Sequence, residues 1–186
     1  MDANQGRLVR FWRFRVCWIA CAVCFAFTAS LSAEAPLEYD VKAAFLLNFA
    51  KFTAWPPTAF PAPDSPIAIC ILGKDPFGHA LDELVQDEVV DGRKVVVRRI
   101  AQAPAAHSCQ IVFTQQTGKE AATILNGLGP GVLTVGEGES FVHQGGIIAF
   151  LLESRHVRFD IDQKAATLAE LKLSSKLLAV ARAVQK

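Results

Sequence analysis

The chain has 186 residues and a formal net charge of +1, and 52% of its residues are hydrophobic. This length suits one domain with a sizeable core, and the near-neutral charge gives no electrostatic basis for nucleic-acid binding. The sequence contains no repeats, low-complexity tracts or blocks of like charge, and no domain boundary is evident.

The first 33 residues have the pattern of an export signal. Four arginines come first, an uncharged apolar run occupies residues 16–31, and small residues follow. Because this order is typical of a secretory signal peptide, we predict a signal peptide over residues 1–33 and a single exported domain over residues 34–186. Cleavage after Ala35 is the alternative position. An uncleaved membrane anchor is the competing interpretation, although the run is shorter than the about 20 residues of a spanning helix.

Removal of this segment changes the charge and the cysteine count. Lys+Arg falls from 19 to 15 and Asp+Glu from 18 to 17, so the net charge becomes −2. Two of the five cysteines remain, Cys70 and Cys109. Because exported proteins meet an oxidising compartment, we predict a disulfide, which contributes roughly 4 kcal/mol for a loop of about 40 residues in the chain-entropy model. Two buried free thiols are the alternative.

Helices and strands are predicted to alternate along the remaining chain. Apolar steps of three and four residues predict a helix over residues 39–55. Its predicted buried stripe is Val41, Ala44, Phe45, Asn48, Phe49 and Phe52. A buried strand is predicted over residues 67–72, and Asp75 with Pro76 predicts the start of a helix that ends near residue 90. Further strands are predicted over 94–100, 109–114, 132–135, 147–152 and 157–161, and a further helix over 118–128.

The C-terminal segment, residues 163–186, is helical in composition. Ser174 is a suitable N-cap, so the segment can contain two helices with a break before this residue. Ser154 and Arg155 predict a tight turn between two strands. Together these elements predict an α/β fold, a three-layer sandwich with a mostly parallel central sheet, a C-terminal β-hairpin and a helical C-terminus.

No catalytic or metal-binding pattern in the sequence is complete. The loop over residues 73–79 follows a strand and opens a helix, but it lacks the Lys-Ser/Thr pair that a phosphate loop needs. The four histidines form neither H-x-H nor H-E-x-x-H. Ser174 and Lys176 are too close in sequence to face each other on a helix. We therefore predict no catalytic residue, no metal and no cofactor.

Several motifs, in order along the chain, resemble those of the YfiR family. They are VKAAFLLNFAKF at residues 41–52 followed by Trp55-Pro56, ILG at 71–73 with DPFG at 75–78, GGII at 145–148, RFDID at 158–162 and LKLSSKLL at 171–178. The resemblance covers nearly all of the predicted mature chain. The sequence departs from the usual family residues at four positions, where it has Leu47, Ala149, Asp162 and Glu170.

The resemblance implies a periplasmic, non-enzymatic repressor that forms a homodimer. YfiR-family proteins bind the periplasmic sensory domain of an inner-membrane diguanylate cyclase, YfiN, and an outer-membrane lipoprotein, YfiB, sequesters the repressor. The expected result is lower cyclic-di-GMP signalling and less biofilm. The resemblance also implies a disulfide between Cys70 and Cys109. The alternative functions are a periplasmic small-molecule sensor that signals to another membrane partner and, third, an enzyme.

Aromatic and apolar residues near predicted loops or on the C-terminal helix are the candidates for a partner or dimer interface. They are Phe60, Phe77, Phe141, Leu173, Leu177, Val180 and Val184. Burial in the chain's own core is the competing interpretation of these residues. For a ligand sensor, the site would lie at the carboxyl ends of the strands, in segments 73–78 and 136–139.

Overall fold

The computed structural model describes residues 34–186, so the predicted signal peptide lies outside the described residues. Ten strands are described, eight of which form one central sheet. The strands are β1 Thr53–Ala54, β2 Ile67–Leu72, β3 Val89–Val90, β4 Arg93–Ile100, β5 Ile111–Thr114, β6 Leu133–Glu137, β7 Ile148–Glu153, β8 His156–Asp162, β9 Lys172–Leu173 and β10 Ala183–Gln185.

Helices cover both faces of this sheet. The helices are α1 Glu34–Phe52, α2 His79–Val85, α3 Gly118–Gly127, α4 Ser140–His143, α5 Gln163–Leu168 and α6 Ser175–Val180, with 3-10 turns at Pro57–Ala59 and Ala103–Ser108. None of them, among residues 34–186, has the length and apolar character needed to cross a membrane.

The order of strands in the central sheet is β10-β8-β7-β6-β5-β2-β4-β3. The β7–β8 and β3–β4 pairs are antiparallel and the remaining pairs are parallel. Of the strands in this sheet, β2 comes first in the chain, and it has β4 on one side and β5 on the other. The sheet therefore has a topological switch point between β2 and β5, which is where open α/β sheets form crevices at the carboxyl ends of their strands. The predicted fold class is confirmed.

Strand β2 is buried on both faces, which explains its continuous apolar sequence. Ile67, Ile69 and Ile71 pack into the core beneath α1 and α2. Their neighbours Ala68, Cys70 and Leu72 pack into a second core beneath α3 and the Ala103–Ser108 turn. Side chains alternate across a strand, so one strand contributes to both cores.

The predicted buried stripe of α1 is confirmed at its three phenylalanines, since Phe49 is buried and Phe45 and Phe52 pack against the same core, and it is wrong at its other three residues. Val41, Ala44 and Asn48 are exposed, and Phe45 and Phe52 are half-buried. The buried residues are Lys42, Ala43, Leu46, Leu47, Phe49 and Ala50. Because apolar residues occur on nearly every side of this helix, sequence periodicity alone does not select the buried face.

The predicted helix after Pro76 is shorter than expected. It begins at His79 and ends at Val85, because the Asp75 carboxylate accepts hydrogen bonds from the N–H groups of Phe77 and Gly78 and shapes a turn ahead of the helix. The residues near 90 instead form β3, which pairs with β4 across a two-residue Asp91-Gly92 turn. Both turn residues have positive φ, as a tight hairpin turn requires.

The C-terminal segment is less helical than expected. Ser174 caps α6, since its hydroxyl accepts a hydrogen bond from the Leu177 N–H, and the predicted break is present. Leu173, however, lies in β9, which pairs with Thr53 of β1. Val184 lies in β10, which extends the sheet beside β8. The four C-terminal interface candidates therefore do not share one helix face.

Candidate functional site

A buried lysine lies near the carboxyl ends of the central strands. Lys42, on α1, has a side chain only 5% exposed. Its Nζ lies 2.6 Å from Oε1 of Glu137, the last residue of β6, and it also contacts the Glu38 carboxylate one helical turn away. Two carboxylates thus neutralise one buried cation, and the three residues together carry one net negative charge.

Tyr39 and Gln115 complete this polar cluster. The Tyr39 hydroxyl donates to Glu137 Oε1 at 3.1 Å, and Gln115 Nε2 donates to the Tyr39 oxygen at 2.7 Å. The ammonium of Lys42 also lies 4.4 Å from the centre of the Tyr39 ring, a cation–π contact. We call Glu38, Tyr39, Lys42, Gln115 and Glu137 the Lys42 cluster.

The Lys42 cluster shifts the titration of two of its members. Burial raises the pKa of Tyr39, and the neighbouring Glu137 carboxylate raises it further. Burial lowers the pKa of Lys42, but the hydrogen bonds to Glu137 and Glu38 outweigh burial, so its pKa lies above the ordinary value. Tyr39 and Lys42 are therefore both held in their protonated forms. This is consistent with a structural role and unsuitable for a general base at neutral pH.

Arg99, near the end of β4, joins the strand to the loop before α2. Its Nε donates to Asp75 at 2.9 Å, its Nη1 donates to Asp82 at 2.7 Å, and its Nη2 donates to the Gly78 carbonyl. The hydrogen bond from Arg99 lowers the pKa of Asp82. Loop 73–78, a predicted ligand segment, is thus held by an arginine of the chain itself.

Arg182, near the C-terminus, likewise joins separate elements through hydrogen bonds to carboxylates. Its Nε donates to Asp160 of β8 at 2.8 Å, and its other nitrogens reach Glu153 and Glu139. Its backbone N–H donates to the Phe159 carbonyl. Three carboxylates around one guanidinium hold the start of β10 against β8.

Cys70 and Cys109 form a pair at disulfide distance. Their Cα atoms lie 5.9 Å apart, within the range of about 4.4–6.8 Å for disulfides. Both residues are buried in the core beneath α3. The pair joins β2 to the residue that follows the Ala103–Ser108 turn, across 39 positions of sequence.

The topological switch point opens into a crevice of about 460 Å³. Leu72, Ile124 and two alanines form its apolar lining, and the polar side chains at its rim are Gln116, Lys119, Glu120 and Thr123. Gly73, in the predicted ligand segment 73–78, lines it, whereas Glu137, in segment 136–139, belongs to the Lys42 cluster.

The seven interface candidates lie in different environments. Phe77, Phe141 and Leu177 are buried in the chain's own core. Phe60, Leu173 and Val184 are half-buried, and Phe60 is covered by the Arg93 guanidinium, 3.7 Å from the ring centre. Val180 is 63% exposed and presents the most apolar surface of the seven.

Sequence reasoning missed Lys42, Glu137, Arg99 and Arg182. Lys42 lies within an apolar segment, at helical spacing from the buried residues Leu46 and Phe49. A charged residue at such a position indicates a buried ion pair, because burial of an unpaired charge is costly. The partner, Glu137, is 95 positions away, and no local pattern identifies it.

The described residues define a doubly wound α/β domain. Its two buried charged residues, Lys42 and Asp160, each pair with residues of opposite charge in the same chain. Within residues 34–186, no group of three or more histidines, cysteines or carboxylates is placed to hold a metal ion. Residues 39–182 match the family model DUF4154, described as YfiR/HmsC-like, and the chain belongs to that family. None of the curated proteins compared with the chain matches it.

Proposed function

We propose that this protein is a non-enzymatic periplasmic regulator of cyclic-di-GMP signalling. The observation that carries the proposal is the family match, which extends over residues 39–182. The family points to regulation through a protein partner. Lys42, Arg99 and Arg182 each form ion pairs with carboxylates of the same chain, which supports a role for these charged groups in stabilising the fold.

The specific mechanism we propose is repression of an inner-membrane diguanylate cyclase. The protein would bind the periplasmic sensory domain of a YfiN-like cyclase as a homodimer, and a YfiB-like outer-membrane lipoprotein would sequester it. Export would depend on the predicted signal peptide, and the cysteine pair would stabilise the domain as a disulfide. Lower cyclic-di-GMP and less biofilm would follow.

Val180 is the strongest candidate among the proposed interface residues, because it is exposed and is the last residue of α6, shortly before β10 in the chain. Exposed apolar side chains near an interface centre can contribute a large share of the binding energy. Phe60, Leu173 and Val184 would add half-buried surface. Phe77, Phe141 and Leu177 would act indirectly, by supporting the surface from within the core.

The test is a pull-down of the purified protein with the periplasmic domain of the cyclase encoded nearest to it, together with cellular cyclic-di-GMP with and without the gene. We expect binding, and higher cyclic-di-GMP in the deletion. Val180→Asp should weaken binding, whereas Leu168→Asp, at a residue that is 75% exposed and outside the proposed interface, should not. No binding together with unchanged cyclic-di-GMP would refute the proposal.

The crevice at the switch point favours a second function, a small-molecule sensor. Its volume of about 460 Å³ lies within the about 300–1,000 Å³ of small-ligand sites, and its lining combines apolar and polar groups. A thermal-shift screen of metabolites is the test. A ligand that raises Tm in the wild-type protein but not in Lys119→Ala would support this function, and a screen without such a ligand would argue against it.

A further inference from the structure

Strand β4 leaves one backbone edge open in the described chain. The short strand β3 pairs only with Arg93 and Lys94, and the Val95 N–H then donates to the Glu88 carbonyl on the same side. Beyond Val95, no strand of residues 34–186 pairs with this side of β4. Residues 96–100 therefore form a strand edge that has no strand partner among the described residues.

The backbone groups that face outward on this edge can be identified from the pairing. Val95 directs its N–H away from β2, and the Ile100 carbonyl, which accepts a hydrogen bond from Gly73, points towards β2. Because backbone groups alternate along a strand, Val97 and Arg99 direct their N–H and carbonyl groups outward. These two residues can form ladder hydrogen bonds with an added strand.

The side chains along the edge are basic. Four of the eight residues of β4 are lysine or arginine. Arg99 is paired with Asp75 and Asp82, but within the described residues neither Lys94 nor Arg98 forms an ion pair, and Arg98 makes only a 3.3 Å contact with Ser108. Lys94 and Arg98 lie on the same face, at strand spacing, and both are exposed.

The charge distribution along the β4 edge favours one kind of binding partner. A second copy that paired through the same edge would place the unpaired cations of Lys94 and Arg98 beside their counterparts, and like charges opposite each other destabilise a strand pair. Basic residues on an edge protect against such self-association. An extended acidic segment would instead gain ladder hydrogen bonds and ion pairs together.

We propose that the β4 edge is a docking site for an extended acidic segment of a partner protein, which adds as a strand beside Val97 and Arg99. The inference deepens the proposed function by placing a partner contact on this edge, but it concerns binding chemistry that can be tested without a cyclase. This contact is distinct from the one proposed for Val180, which precedes β10, the strand at the other end of the strand order.

The test uses two labelled eight-residue peptides, one alternating valine with glutamate and one alternating valine with lysine. We expect the purified full-length gene product to bind the acidic peptide about tenfold or more tightly than the basic one, with salt weakening the binding. The amides of Val97 and Arg99 should exchange more slowly in the complex. Equal binding of both peptides, or no binding of either, would overturn the proposal.

The matched variants change one outward-facing residue. Val97→Pro removes an N–H that forms no internal ladder bond and should reduce acidic-peptide binding about tenfold, whereas Val97→Thr keeps the N–H and should bind normally. Unchanged binding by a folded Val97→Pro protein would overturn the proposal. If that variant does not fold, Lys94→Glu with Arg98→Glu tests the same site, because these exposed changes should reverse the preference towards the basic peptide.

The outcomes distinguish this inference from the proposed function. If the wild-type and Val97→Pro proteins bind the cyclase domain equally well and neither binds the acidic peptide, the proposed function stands and the proposed docking site on the β4 edge is refuted. If the protein binds the acidic peptide in a Val97-dependent way but neither binds a cyclase nor alters cyclic-di-GMP, the docking site on the β4 edge stands and the proposed function is refuted.

Discussion

Lys42 and Glu137 form an ion pair that joins the first helix to the carboxyl end of β6. The Nζ and Oε1 atoms lie 2.6 Å apart, although the residues are 95 positions apart in sequence. Tyr39 and Gln115 bond to the same carboxylate. The pair therefore links two elements that are far apart in sequence.

Removal of Glu137's charge should destabilise the fold. Glu137→Gln should lower the free energy of unfolding by about 2 kcal/mol, less than the about 3–5 kcal/mol of a fully buried pair, because Glu38 remains beside the ammonium. Lys51→Met is the control, since the Lys51–Glu88 pair is exposed and should contribute less than about 1 kcal/mol. Urea unfolding measures both, and equal losses would contradict the buried role of the pair.

Tyr39 should titrate above its ordinary pKa of about 10. Burial and the Glu137 carboxylate both raise its pKa in the folded protein. The chain contains a single tyrosine, so ultraviolet tyrosinate absorbance reports this residue alone. We expect a higher midpoint in the folded protein than in urea, and a lower folded midpoint in Glu137→Gln. Identical midpoints in the folded and unfolded protein would refute the environment described for Tyr39.

The same shifts define the pH dependence of stability. Lys42 and Tyr39 both have raised folded pKa values, so their contribution is present below the unfolded values of about 10 and lost as pH rises through the folded values. The free energy of unfolding should fall more steeply above about pH 10 in the wild type than in Lys42→Met. Urea titrations from neutral to alkaline pH test this, and parallel curves would contradict it.

Gly136 and Gly146 accommodate the ring of Phe141. A Cβ at Gly136 would lie 2.3 Å from Phe141 Cδ2, and a Cβ at Gly146 would lie 2.2 Å from Cε1. Gly136→Ala should therefore cost about 1–3 kcal/mol or more through overpacking. Gly127→Ala, where an added Cβ meets no atom within 4 Å, is the control and should not destabilise the protein.

A second substitution isolates the cause of this loss. Phe141→Leu frees space between the two glycines, so the double variant Gly136→Ala/Phe141→Leu should be more stable than additivity of the single changes predicts. Thermal unfolding of the four proteins completes the cycle. Strict additivity would show that the ring is not what requires glycine here.

The Cys70–Cys109 pair should stabilise the domain as a disulfide. Mass spectrometry of an unreduced digest should show the two cysteines linked. Replacement of both by alanine should lower the free energy of unfolding by about 4 kcal/mol for a loop of this length. Reductant should then destabilise the wild type and leave the variant unchanged. Two thiols that alkylate without reduction would refute the bridge.

Arg182 should hold β10 in the sheet. Without its guanidinium, the buried Asp160 carboxylate loses its partner, so Arg182→Ala should speed amide exchange at Val184 and Gln185 by about tenfold or more while the central strands remain protected. Lys186→Ala, at the adjacent chain end, is the control. Unchanged exchange at β10 in Arg182→Ala would show that backbone pairing alone retains the strand.

Local sequence was sufficient for much of the fold. The limits of β2, the Ser154-Arg155 turn and the cap at Ser174 all depend on residues close together in the chain, and each was predicted. Apolar runs, positive-φ turn residues and capping hydroxyls act within a few positions. The alternation of strands and helices then leads to the α/β class.

Only the tertiary structure decided which face of α1 is buried and that the C-terminal segment ends in a strand, β10. Nearly every side of α1 is apolar, so its face is selected by the strands beneath it and by Glu137, which allows Lys42 to point inward. The segment at β10 has helical composition, yet it forms a strand because β8 offers an open edge and three carboxylates hold Arg182 beside it. Both choices depend on partners far away in sequence, which local propensity does not contain.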